Sequence, residues 1–167
     1  HIDETGQVLK PEVHILLDNS SSMSGAKWAS AKAGIQNIYS SLSDNINLSL
    51  SIFSSVNTLI SPTTCSQVIG LSNLPAVPNA NTPTKSALAE IYAMKDTLFG
   101  TNDKVAKKLI IITDGEPTNY DYRNQSNQVT ASCQGNTVSN VITEISKFNE
   151  AHIQTYIVGF GNLTEGL

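Results

Sequence analysis

The sequence predicts an α/β fold: a doubly wound, mostly parallel central sheet with one antiparallel edge strand and helices on both faces. Three observations carry that expectation. Short apolar runs of strand length alternate with amphipathic stretches of ten or more residues, a pattern that calls for right-handed crossovers between parallel strands. The run "KLIIIT" at 108–113 is continuously apolar and β-branched, as suits a strand buried on both faces. "INLSLSIF" (46–53) and "VNTLI" (56–60) are separated by only Ser54 and Ser55, so this pair is expected to fold back as a hairpin and supply the antiparallel edge.

Taken in order, "VHILL" (13–17) is the first strand, ending at Asp18. Trp28, Ala31, Ile35, Ile38 and Leu42 recur every three or four residues and define one face of a helix from about 27 to 42. The second strand and its hairpin partner follow, and then a polar loop holding Pro62, Pro75 and Pro78. In "TPTKSALAEIYAMKDTL" Thr82 is the expected N-cap and Pro83 the first helical residue, with Leu88, Ile91, Tyr92 and Leu98 turned inward. After the strand at 108–113 comes an Asn-, Gln- and Tyr-rich loop (115–136). A helix from about Thr137 to Asn149 then turns Val138, Val141, Ile142, Ile145 and Phe148 inward, and "IQTYIVGF" closes the order β-α-β-β-α-β-α-β. In such a Rossmann-like sheet ligands gather at the carboxyl ends of the strands, where strand order reverses. Asp18 and Asp114 each lie just past such an end.

Composition narrows the function. The net charge is −4 with only 14% charged residues and no Lys/Arg cluster, so no electrostatic footprint for nucleic acid exists. No apolar run reaches the roughly 18 residues of a membrane span, and direct membrane insertion is not expected. The chain reads as one domain over 1–167, its core at about 13–161, excised from a larger protein. Its end shortly after the last strand suggests a further helix or a continuation. Cys65 and Cys133 both lie in polar loop sequence, which favours a disulfide and an oxidising compartment over two free thiols. A bridge over a loop of that length would contribute about 4 kcal/mol in the chain-entropy model.

Chemistry concentrates in "ILLDNSSSM" (15–23), an apolar strand that stops on a carboxylate and continues through hydroxyl and amide side chains. Ser20 and Ser22 are two apart and can face one point, with Asn19 and Ser21 turned away. With Thr82 arriving from a helix start and Asp114 from the other strand end, two carboxylates and three hydroxyls form an all-oxygen site suited to a hard divalent ion. Read singly, each piece is ordinary: an Asx turn, an N-cap, a strand-ending turn. Their joint occurrence at one sheet edge is what points to a site.

"DNSSSM", "TPT" and "IITDGEP" resemble the three-part metal-ion-dependent adhesion site of von Willebrand factor type A (VWA) domains. The resemblance runs from about Val13 to Gly161. It implies that Asp18, Ser20 and Ser22 form the DxSxS element, Thr82 its threonine and Asp114 its final aspartate. The implied cofactor is Mg²⁺, with Mn²⁺ or Ca²⁺ as alternatives, and the implied partner is a protein presenting an acidic residue, host matrix or surface proteins among the candidates. Ser21 stands where the family has Gly, and would cost about 1 kcal/mol if that position needed a left-handed backbone. Glu116 reads as a solvated rim residue. N-x-S/T sequons begin at Asn19, Asn47, Asn124 and Asn162. A glycan on Asn19 would crowd the site, which favours a bacterial surface protein, and the motif wording resembles pilus-tip and large repeat adhesins.

Other functions fit less well. A phosphotransferase of the haloacid-dehalogenase type, with Asp18 as nucleophile, needs a second carboxylate two residues on, and Ser20 stands there. Hydrolase chemistry lacks a placed histidine among His1, His14 and His152, and GxSxG is absent. Phosphate-binding GxGxxG and GxxxxGK[ST] loops are absent too. An intracellular VWA partner of an AAA-type ATPase in a metal-chelatase assembly is the second reading, distinguished by unlinked cysteines. The sequence thus predicts an extracellular, non-catalytic adhesion module with Cys65–Cys133 bridging its rim loops.

Overall fold

A computed structural model describes residue 2 and residues 4–53, 63–76, 78 and 81–159. Strand β1 (Glu12–Asp18) lies at the middle of a five-stranded sheet and is buried along nearly its whole length. Its alternation explains the position. Leu16 points into one apolar cluster, while Ile15 and Leu17 point into another on the opposite face. Each such fully buried side chain contributes roughly 2 kcal/mol, so β1 is stable only where both faces are covered.

The chain leaves β1 through a 3₁₀ turn (Ser21–Met23) into helix α1 (Ala26–Leu42), then enters β2 (Asn47–Phe53), parallel to β1 in the register Ile15↔Leu50. Strand β3 (Ser66–Ile69) pairs antiparallel to β2 and forms the sheet edge. The segment 56–60, expected to supply that edge, lies outside the described residues. Helix α2 (Thr84–Ala93) is followed at once by α3 (Lys95–Phe99), so one expected helix is two: it breaks at Met94 and ends at Gly100, whose φ of 73° suits a residue without Cβ. Then come β4 (Lys107–Thr113), the hairpin β5 (Tyr120–Arg123) and β6 (Val129–Cys133), helix α4 (Val138–Glu150) and β7 (Ile153–Gly159).

Sheet order is β3-β2-β1-β4-β7, parallel except for β3. The sheet therefore grows to one side of β1 and then to the other, and its switch point falls between the carboxyl ends of β1 and β4. Helix α1 covers one face through Trp28, Ala31 and Ile35. Helices α2 and α4 cover the other through Ala87, Leu88, Ile91, Val141 and Phe148.

Several expectations need correction. The helix begins at Thr84 with Pro83 as its N-cap, so Thr82 lies one residue ahead and its side chain makes no capping bond. Leu42, the last residue of α1, is exposed rather than turned inward. In α4 the inward stripe runs Val141, Glu144/Ile145, Phe148, which leaves Ile142 exposed by helical geometry. Buried Glu144 pairs with Lys147. The loop at 115–136 contains the β5–β6 hairpin, in which Tyr120 pairs with Cys133 and Tyr122 with Ala131, and Asp121 accepts from the Ser132 hydroxyl across the strands.

Candidate metal centre

Asp18 ends β1 fully buried, and its two oxygens have different partners. Oδ1 accepts the Ser20 backbone N–H at 2.7 Å and Oδ2 accepts the Thr113 hydroxyl at 2.7 Å. The first bond turns the chain so that Ser20 and Ser22 stand on the same side, their Oγ atoms 3.0 Å apart. Of the two intervening residues, Ser21 is exposed, whereas Asn19 is fully buried. A glycan on Asn19 is therefore incompatible with the folded chain. Ser21 carries no strain either: among the described residues the left-handed non-glycine positions are Asn127 and His152. Gly25, at φ 81°, supplies the left-handed step into α1.

Asp114 follows β4 and meets the first element directly. Its Oδ1 accepts the Ser22 hydroxyl at 2.7 Å and its Oδ2 accepts the Lys27 ammonium at 2.6 Å. Thr82 completes the arrangement. Its backbone is held at both ends by one residue, for Thr82 N donates to Thr118 Oγ1 at 2.8 Å and Thr118 N donates to Thr82 O at 2.8 Å. Gly115 lies between the pieces: a Cβ there would sit 3.5 Å from Ser22 Oγ and 3.8 Å from Thr82 Oγ1. The two hydroxyls thus face a common space that a glycine leaves open. All five sequence-predicted residues, Asp18, Ser20, Ser22, Thr82 and Asp114, are brought to the carboxyl ends of β1 and β4, and Glu116 is exposed beside them.

The electrostatics favour a positive guest. Burial pushes the Asp18 carboxyl above the usual carboxylate range, the hydrogen bonds from Ser20 and Thr113 oppose that shift, and the nearby charge of Asp114 adds to it. Two carboxylates and three hydroxyls make an oxygen-only donor set, which hard divalent cations prefer. No cluster of three or more His, Cys, Asp or Glu suited to a metal occurs among the described residues, so a nitrogen- or sulfur-rich centre has no competing place there. The residues present fit a hard divalent ion.

Of the surrounding supports, the Cys65–Cys133 disulfide was expected from sequence and the polar braces around it were not. Cys65 and Cys133 are joined in a disulfide, with Cα atoms 5.8 Å apart, linking the start of β3 to the end of β6. Glu90 of α2 accepts from Cys65 N, Ser66 N and Ser66 Oγ. Asn136 accepts from Ser86 N at 3.0 Å and donates to the Cys133 carbonyl at 2.8 Å. These contacts brace the helix that follows Thr82. Lys27 could have been suspected, since side chains in the first turn of a helix lean toward its N-terminus. Thr118 gives no signal outside the folded chain.

A sequence model described as the von Willebrand factor type A domain matches residues 12–166. Among solved structures the chain is similar to the manganese-loaded TRAP protein of Plasmodium vivax, at 18% identity and TM-score 0.64, over 93% of this chain and 59% of that one. It is similar to the pilus adhesin SpaC of Lactobacillus rhamnosus GG in its open conformation, at 16% identity and TM-score 0.63, over 90% of this chain and 24% of that one. A third likeness is to an aerotolerance-related membrane protein of Bacteroides fragilis, at 17% identity and TM-score 0.53, over 89% of this chain and 67% of that one. At these identities the likeness is one of fold, and the chain spans only part of the first two proteins. No curated protein matches.

Proposed function

This chain belongs to the von Willebrand factor type A family, and from that premise we propose that it is a metal-dependent adhesion module rather than an enzyme. The observation that carries the reading is the meeting of Ser20, Ser22 and Thr82 hydroxyls with Asp18 and Asp114 at the switch point of the sheet. Ser20, Ser22 and Thr82 would hold the ion, with Asp18 and Asp114 fixing its surroundings directly or through water. Mg²⁺ is the proposed ion, with Mn²⁺ or Ca²⁺ as alternatives. Bound largely by neutral hydroxyls, such an ion keeps much of its charge and attracts a carboxylate from a partner protein.

The chain's own residues prepare that event. Thr113 and the Ser20 amide hold the Asp18 carboxylate still, and Thr118 fixes the backbone of Thr82, so little order must be gained on binding. Among the described residues no histidine is hydrogen-bonded to any of the five, so no Ser–His pair of the hydrolase kind forms there. The disulfide supports an extracellular or cell-surface setting and weighs against the intracellular ATPase-partner reading. The described residues contain no helix long and apolar enough to cross a membrane.

Calorimetric titration with MnCl₂ and MgCl₂ tests the reading. Asp18→Ala and Thr82→Ala are expected to lower metal affinity at least tenfold with unchanged circular dichroism, and binding to an acidic partner should be lost in EDTA. Equal affinity in wild type and Asp18→Ala would remove the site.

A further inference from the structure

We propose that Lys27 is a tethered counter-cation of the metal centre: it holds Asp114 while no divalent ion is present and must yield that oxygen for one to bind. The inference rests on the metal-centre reading and adds a residue that sets its affinity.

Three observations support it. The Lys27 Nζ lies 2.6 Å from Asp114 Oδ2, a short charge-assisted contact, and 3.4 Å from the Ser22 carbonyl oxygen. With Oδ1 taken by the Ser22 hydroxyl at 2.7 Å, both oxygens of Asp114 are engaged by the chain itself. The burial of the two partners is unequal. The Asp114 side chain is 1% exposed and that of Lys27 44%, so the ammonium lies on the solvent side of a covered carboxylate.

That asymmetry defines how the pair can open. Asp114 is pinned by Ser22, whereas Lys27 has a flexible four-carbon stem and a strongly hydrated head that can move into water from the first turn of α1. Ser20 and Ser22, with their Oγ atoms 3.0 Å apart, link Asp18 to Asp114, so two carboxylates lie at one edge and a positive charge nearby offsets their mutual repulsion. Lys27 supplies it. The same charge opposes a second cation, so divalent affinity is lower than the donor set alone would give.

Metal affinity in variants that separate contact from net charge tests the proposal. Free Mn²⁺ is counted by its electron paramagnetic resonance signal during titration of the wild-type chain, Lys27→Met, Lys27→Arg and Lys32→Met. Lys32 is five residues further along α1, with its Nζ over the Trp28 ring, so Lys32→Met removes equal charge without touching Asp114. Lys27→Met is expected to bind Mn²⁺ about fivefold more tightly, in line with the strength of half-exposed ion pairs. Lys27→Arg and Lys32→Met should stay near wild type. In EDTA the Lys27→Met chain should melt at a lower temperature than wild type, and saturating Mn²⁺ should close the gap. Equal or weaker binding by Lys27→Met would overturn the proposal, assigning Lys27 to propping Asp114 while leaving the metal centre standing. An equal gain in Lys32→Met would overturn it in favour of net charge. Absence of Mn²⁺ binding by both wild type and Lys27→Met would overturn the metal centre, and this proposal with it.

Discussion

His14 makes the stability of this protein depend on pH in a way that can be worked from its surroundings. The ring is fully buried on β1, with Nδ1 2.6 Å from Ser49 Oγ and Nε2 2.8 Å from Ser51 Oγ across the β1–β2 pair. The Phe99 ring packs edge-on at 6.0 Å. Desolvation lowers the His14 pKa from 6.5 to about 4, because a buried imidazolium loses its hydration. The sign follows from linkage. Above pH 6.5 the ring is neutral in both states and contributes no pH dependence. Between 6.5 and 4 the unfolded chain takes up a proton that the folded chain refuses, so stability falls as pH falls, and below about 4 the loss levels off. Between pH 7 and pH 5 this one group should remove about 2 kcal/mol, and about 3 kcal/mol in full. For a chain of this size that corresponds to about 4–8 °C in melting temperature between pH 7 and pH 5. The assay is urea unfolding at pH 7 and pH 5 for wild type and His14→Gln, whose amide can keep hydrogen bonds to the serines and does not titrate. The difference between the two slopes isolates His14. If both chains lose the same stability between these pH values, the buried neutral imidazole is not the cause and the reasoning fails.

Two other perturbations separate the scaffold from the site. Reduction of Cys65–Cys133, which closes a separation of 68 residues, should cost about 4 kcal/mol in the chain-entropy model, or about 8–16 °C in melting temperature; calorimetry with and without reductant measures it, and a change of under 2 °C would contradict it. Gly115→Ala should act in opposite directions on fold and site. Its Cβ would make only ordinary contacts with Ser22 and Thr82, so stability should rise by about 0.5 kcal/mol in chemical denaturation. Metal affinity should nonetheless fall several-fold in the Mn²⁺ titration, because the methyl enters the space the hydroxyls face.

Most of the central sheet was legible because its strands carry their own evidence. Ile15, Leu16 and Leu17 need cover on both faces, and "KLIIIT" has no polar face to show to water. The hairpin at 120–133 was not legible. Its strands are short, polar and Asn-flanked, and they are fixed by the disulfide and by the packing of Tyr122, Ala131 and Cys133 with distant Cys65 rather than by alternation. The break at Met94 was hidden for a related reason: Leu98 and Phe99 continue the helical spacing, and nothing local marks the change of axis until Gly100. Ile142 was misplaced inward because it is apolar. Only the contact of α4 with α2 and the sheet shows that Val141, Ile145 and Phe148 make the stripe.

The candidate site divides the same way. Amino-acid order alone determined which oxygens could meet, since parallel strands with helical crossovers must deliver Asp18 and Asp114 to one edge, and a helix start must bring Thr82 there. Tertiary structure decided what each of them touches. Lys27 on Asp114 spans 87 residues, Thr113 on Asp18 spans 95, and Thr118 on Thr82 spans 36. Strand ends follow from hydrophobic pattern and chain topology, which are properties of the sequence. Contacts at 2.6–2.8 Å between distant side chains follow from rotamer, register and burial, which exist only after the chain has packed.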